Sequence, residues 1–248
     1  MSKENFTYRI GESNVNRYGS KYKIIEYKNA KHIVVQFDNG YIKKAAYKEF
    51  KNGSIKSPFC KSVYGIGYIG IGNYKLSIDR KQTDCYRAWG SMLRRVVGKD
   101  STCYKGCSVC EEWLCYQNFA KWWHENYYDC GEKLELDKDI KVVNNKLYSP
   151  DTCLLVPHSI NSLFCKSTKS RGKYPLGISR YENLYVATVS NKREGCLISK
   201  AFKDFNEARE FYFFEKKKII NKICDEYSDK IPKKILKYVK MYKIENVE

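Results

Sequence analysis

The residues best suited to chemistry fall within one stretch of about thirty residues. Asp137, Asn145 and Asn161 each carry a side-chain oxygen. The pattern around them reads as a strand over 134–140, a polar loop holding Asn144 and Asn145, a turn with a second strand over 148–156, and a helix opened by Pro157. An Asp at a strand end and an Asn on a helix folded back onto it can offer oxygen ligands to one hard divalent cation. A cation held by only two protein oxygens keeps open positions. Those positions can take a scissile phosphate, stabilise its developing charge and activate the leaving oxygen. The plainer reading is that Asp and Asn are common at strand ends and helix starts.

Two further clusters invite a chemical reading. Cys107 and Cys110 have the x₂ spacing of a zinc knuckle, and with Cys103 and Cys115 they form the set that could hold a structural Zn²⁺. A second pair, either C-x-x-C or histidines, is missing at the usual distance, so the competing reading is small buried apolar cysteines. The glycines of Tyr64-Gly-Ile-Gly-Tyr-Ile-Gly-Ile-Gly72 suggest a phosphate cradle. The Lys-Ser/Thr of a P-loop is absent, and no G-x-G-x-x-G opens a helix there. A connection or bulged hairpin over 64–79 is the expectation.

The elements that must position these groups follow from local pattern. Residues 23–27 and 32–37 are strand-like, joined onward by an Asp38-Asn39-Gly40 turn whose Asn-Gly pair supplies the positive φ of a tight hairpin. Thr83 or Asp84 can cap a helix carrying Tyr86, Trp89, Leu93 and Val96 or Val97. A second helix, starting near Val109, aligns Trp113, Tyr116, Phe119, Ala120 and Trp123 on one stripe, which reads as core before it reads as a base-stacking platform. Toward the end, 176–179, 185–189 and 196–198 read as three short strands. Asp204 with Glu207 marks the start of a helix, and Pro232 stops one helix and can begin the last.

Composition bounds the function class. The 248 residues carry 46 Lys+Arg against 28 Asp+Glu, a formal charge of +18. The excess is uneven: residues 1–79 have 14 basic and 6 acidic side chains, 80–166 have 13 and 11, and 167–248 have 19 and 11. Two basic flanks around a nearly neutral centre favour a polyanionic partner. An aromatic content of 15% argues against wholesale disorder. No run of about 18 apolar residues is present, so no membrane partner is expected. The first residues lack the apolar core of a signal peptide, which points to a reducing cytoplasm where disulfides are disfavoured.

Residues 134–164 resemble the ββα-metal core of HNH endonucleases. In Leu136-Asp137-Lys138-Asp139-Ile140, Asp137 falls on that family's metal Asp. Asn145, or Asn144, falls on its loop Asn, and Asn161 of His158-Ser-Ile-Asn161 falls on its final metal ligand. Residues 86–95, 106–113 and 148–153, with Gly11-x-x-Asn14-x-Asn16-x-x-Gly19, are similar to a set of phage-encoded HNH-like proteins. One departure stands out: Lys138 occupies the position of the catalytic His. A base for water works best with a pKa near 7, and deprotonating a lysine there costs roughly 4 kcal/mol. Lys138 is therefore read as an altered base or a phosphate contact, and His158 as a substitute base.

The last eighty residues resemble the APETALA2-type DNA-binding domain. The resemblance rests on Arg171-Gly-x-Tyr-Pro-x-Gly177-Ile178, Tyr185-x-Ala187 and Phe202-x-x-Phe205-Asn-Glu-Ala208. It implies a three-stranded sheet in the major groove with a helix behind it. Arg171, Lys173, Arg180, Tyr185 and Arg193 would face DNA.

Together these readings predict an α+β protein with four segments. They are a small basic β domain (1–63), a Gly-rich connection (64–79), a central helical HNH-like ββα-metal domain (80–166), and a three-stranded sheet packed on a helix (167–248). The expected function is a metal-dependent HNH-type DNA endonuclease or nickase of phage or mobile-element origin. It would act on double-stranded DNA in the cytoplasm of a bacterial host with Mg²⁺ or Mn²⁺. The alternative is a catalytically inactive HNH-like protein that binds DNA or a host defence protein, as a phage regulator or nuclease-inhibiting factor.

Overall fold

The computed structural model describes residues 6–98, 104–164, 174–191 and 196–242. Arg171, Lys173, Arg193 and Cys103 lie outside these residues. The fold is α+β. The chain divides into two compact units, 1–97 with 111–121, and 98–110 with 122–248. This division differs from the four expected segments. The Gly-rich stretch and the first long helix belong to the N-terminal unit, while the ββα region and the C-terminal sheet share the other.

In the first unit, β1 (Ser13–Val15), β2 (Lys21–Asn29), β3 (His32–Phe37) and β4 (Ile42–Ala45) form an antiparallel meander in that order. Strand β3 shows the cause plainly. Ile33, Val35 and Phe37 alternate inward and join Tyr22, Ile24, Phe50, Ile55 and Cys60 in one buried cluster. The Asp38-Asn39-Gly40 turn closes with the Gly40 N–H donating to the Phe37 carbonyl. Helix α1 (Tyr47–Lys51) supplies Phe50 to the same core.

The asparagines of the Gly11–Gly19 motif are structural ties. Asn14 Nδ2 donates to the Phe50 carbonyl at 2.6 Å and Asn16 Nδ2 to the Ile55 carbonyl at 2.9 Å. Asn16 Oδ1 also accepts from the amides of Tyr18 and Ser20. Asn16 is buried, and these bonds satisfy its amide.

Beyond a short hairpin of β5 (Ser77–Ile78) and β6 (Lys81–Gln82) comes α2 (Asp84–Val97), with Thr83 Oγ1 accepting from the Tyr86 amide. Trp89, Met92 and Leu93 are buried, and Trp89 Nε1 donates to the Trp113 carbonyl at 2.7 Å. The Gly-rich stretch is part of this core. A Cβ on Gly67 would run into Leu93 and Trp89, so glycine there permits the close approach. The aromatic stripe is core, as its spacing predicts. Trp113, Tyr116, Phe119, Ala120 and Trp123 are all buried. The last four lie on α3 (Tyr116–Asn126), within which the division between units falls.

The second unit contains β7 (Ser108–Val109), β8 (Leu134–Asp137), β9 (Leu147–Tyr148) and β10 (Leu154–Pro157). Strands β8 and β10 pair antiparallel, and β7 pairs parallel with β9 from the intervening loop. Helix α4 (His158–Phe164) follows β10 without a loop. Then β11 (Ile178–Tyr181), β12 (Leu184–Asn191) and β13 (Cys196–Phe202) form an antiparallel sheet in sequence order. Helix α5 (Phe205–Glu226) is capped by Asp204, whose carboxylate accepts from the amides of Asn206 and Glu207. It packs on this sheet, and α6 (Lys233–Met241) follows Pro232.

Candidate functional site

The hairpin of β8 and β10 with α4 behind it reproduces the strand, loop, strand and helix that the sequence predicts. Register sets the site. Leu154 opposes Asp137 and Val156 opposes Glu135. Leu134 and Leu136 point into the core, so Glu135 and Asp137 share the other face of β8. Two distinct clusters grow from that face.

The first sits at the start of the loop. Asp137 Oδ1 accepts from the amides of Asp139 at 2.8 Å and Ile140 at 2.7 Å, turning the chain out of β8. Asp137 is half-buried, with protein packed around its carboxyl. Burial pushes its pKa up to about 6, against the pull of the Ile140 amide and reinforced by the charge of Asp139. Lys138 is buried, and its ammonium donates to both oxygens of Asp139 at 2.8 Å and to the Asn145 carbonyl at 2.7 Å. Asn145 answers by donating to the Lys138 carbonyl at 3.0 Å and to the Leu147 carbonyl. Its Oδ1 accepts the Leu147 amide at 3.1 Å. Asn144 carries a left-handed φ of 57°, a conformation that asparagine tolerates. Lys138 and Asn145 are thus brought together as a mutual clamp on the loop.

The second cluster joins β8 to α4. His158 Nδ1 donates to Glu135 Oε1 at 2.9 Å, and Asn161 Nδ2 donates to Glu135 Oε2. A carboxylate can only accept, which puts a proton on Nδ1. The His158 side chain is 69% exposed. Partial burial raises the Glu135 pKa, but hydrogen bonds from Asn161 and His158 outweigh it and hold the group below the usual carboxylate range. Glu135 was not among the sequence candidates. Its place two residues before Asp137 on an alternating strand was the available signal.

Among the described residues, no hydrogen bond joins Asp137 to Asn161 directly. The amide of Asn161 is directed to Glu135, and Asp137 Oδ1 serves two backbone amides. Among the described residues, no three His, Cys, Asp or Glu side chains gather as a metal site. A cation held by Asp137 and Asn161 would take Asp137 Oδ2 and Asn161 Oδ1, the oxygens that these hydrogen bonds do not use. Of the zinc candidates, Cys107 and Cys115 are buried and Cys110 is half-buried.

A tyrosine from far along the chain completes the surroundings. Tyr242, which ends α6, is buried and packs its ring on Phe164, with centroids 4.5 Å apart. Burial and the nearby charges of Asp139 and Asp137 push its phenol up to about 12. The start of α4 is tied down similarly. Glu132 accepts from the Ser159 amide at 3.2 Å and from the Tyr227 hydroxyl, which lies 3.0 Å from Ser159 Oγ.

The C-terminal sheet corrects two of the proposed DNA contacts. Ala187 and Val189 are buried, so the odd-numbered residues of β12 face α5. Tyr185 shares their face and packs on Phe205 and Tyr174 at 5.5 and 5.6 Å. Arg180 opposes Tyr185 in register, with its guanidinium over that ring at 5.7 Å. Neither residue looks out from the face turned away from the helix. That face carries Ser179, Tyr181, Val186, Thr188, Ser199 and Ala201, none of them charged. Gly177 has a φ of +81°, and a side chain there would strike the Tyr212 ring, so this glycine serves packing.

No family model, curated protein or solved structure matches this chain.

Proposed function

We propose that this chain is a duplex-DNA-binding protein built on an HNH-like ββα scaffold, in which the position of the catalytic base has become a structural clamp. One observation carries the reading. Lys138, where the nuclease pattern has its His, is buried and donates to the carboxylate of Asp139 and the carbonyl of Asn145. An ammonium held this way neither takes a proton from water nor reaches a phosphate. The basic balance supports binding, with +18 overall and the excess concentrated in the flanks. No described helix is long and apolar enough to cross a membrane. We place the action in the cytoplasm of a bacterial host, as a phage regulator or as a factor that occupies a host defence nuclease.

Two assays on the full chain test this reading. Duplex binding, followed by anisotropy, should weaken by roughly 10³-fold between 50 and 200 mM salt if about six phosphates are contacted. A supercoiled plasmid incubated with the protein and Mg²⁺, Mn²⁺ or Zn²⁺ should stay intact. Nicking that is lost in Asp137→Ala would replace this reading by the nuclease.

The endonuclease is the second reading, and the Glu135–His158 pair favours it. A carboxylate that orients an exposed imidazole and fixes its tautomer is the arrangement of a general base. In that case metal-dependent nicking would depend on His158 and tolerate Lys138→Arg.

A further inference from the structure

We infer that the groove between the 138–147 loop and α6 seats the sugar-phosphate backbone of duplex DNA. The inference rests on the DNA-binding reading and assigns it a surface. The groove has a volume of about 560 Å³. Ile140 and Lys141 line one wall, and Lys234, Lys237, Tyr238 and Met241 line the other. The α6 residues stand at i, i+3, i+4 and i+7, which is one stripe of the helix. The opposite stripe, Ile235, Leu236 and Val239, is buried. Packing thus fixes the rotation of α6 and directs the lysine stripe into the groove.

The described lining of the groove carries positive charge only. No carboxylate is among the described residues that line the groove. Lys141, Lys234 and Lys237 make no ion pair among the described residues. Lys240, which does not line the groove, is paired with Asp225 at 2.8 Å. Three like charges on facing walls repel one another, and an anion between them removes that repulsion. A mobile phosphodiester strand fits this demand. It presents repeated negative charge, and the long lysine stems adapt to its spacing while Tyr238 and Met241 offer apolar contact to the sugars. The open sheet face of β11–β13 is uncharged in its described residues, so it does not compete for this role.

The test uses the full chain and a short duplex of random sequence, with binding measured by anisotropy from 50 to 300 mM salt. Lys234→Glu combined with Lys237→Glu places both changes at exposed positions. A control of equal charge change is Lys203→Glu with Lys230→Glu, also exposed and outside the groove. The groove variant should bind at least tenfold more weakly than the control. Its slope of log affinity against log salt should be shallower by about two. Lys141→Glu, on the other wall, should give a loss in the same direction and guards against misfolding of altered α6. If groove and control variants bind alike, the groove assignment is overturned while the DNA-binding reading stands. If the wild-type chain does not bind the duplex, both fall.

Discussion

The two clusters on β8 use neighbouring residues for opposite ends. Around Asp137, Lys138 and Asn145 the polar groups turn inward, and nearly every donor has a protein partner. Around Glu135, a few ångströms away on the same face, the imidazole of His158 stands in solvent with one ring nitrogen uncommitted. A buried, satisfied network is costly to disturb and contributes rigidity. An exposed pair contributes little stability and is available to a ligand. The cluster at the Asp137 end of the strand is thus structural, and the one with an exposed imidazole lies two residues back along it.

The largest effect is expected at Lys138. Lys138→Met keeps the volume of the stem but strips the partner from the Asp139 carboxylate and the Asn145 carbonyl. Breaking a buried pair from one side costs roughly 3–5 kcal/mol. Asp139 keeps about a third of its side chain exposed, so the lower end applies, about 3 kcal/mol. Chemical denaturation at pH 7 measures it. A loss below about 0.5 kcal/mol would show that the clamp is not structural and erase the distinction between the clusters.

Asp137 comes next, with the opposite sign. Its pKa lies near 6 in the fold, above the ordinary 3.8. The folded state therefore binds the proton more tightly than the unfolded chain. The sign follows: stability is highest below about pH 4 for this group and falls as pH rises toward 6. Asp137→Asn keeps Oδ1 for the Asp139 and Ile140 amides and removes the buried charge. It should stabilise the protein at pH 7 by about 2–3 kcal/mol, with the gain vanishing below about pH 4. Urea melts at pH 4, 5, 6 and 7 report this. A destabilised Asp137→Asn at pH 7 would mean that the carboxylate is held by a cationic partner.

What the sequence disclosed and what it hid can be seen residue by residue. The Asn39-Gly40 turn, the alternation of Ile33, Val35 and Phe37, and the Asp204 cap depend on neighbours within a few positions, and all appear as expected. The order of strand, loop, strand and helix over 134–164 was equally local. Which carboxylate meets the helix was not, because Glu135 and Asp137 have the same parity and only the docking of α4 selects between them. Lys138 reads as an altered base or a phosphate contact until the loop closes and brings the Asn145 carbonyl to it. Tyr242 approaches the site from about a hundred residues downstream, beyond any local pattern. The facing of Tyr185 could have been inferred. Ala187 and Val189 mark the buried parity of that strand, and Tyr185 belongs to it.

The smallest effect on stability, and the sharpest on function, belongs to His158. The pair with Glu135 is largely exposed on the histidine side, so His158→Gln should change stability by less than about 0.5–1 kcal/mol. Glu135 adds a pH signature. Its pKa is held low, so its contribution is present above about pH 4.5 and is lost as pH falls through the folded value. Wild type and His158→Gln should therefore melt alike in acid and separate slightly near neutrality. Duplex affinity should be unchanged, since the imidazole lies outside the lysine groove. If the plasmid assay with Mn²⁺ reveals slow nicking in the wild type, this substitution decides its origin. Nicking abolished by His158→Gln and retained by Lys138→Arg would place the base on α4. Nicking that survives His158→Gln would leave the exposed cluster without a chemical role and return attention to Asp137.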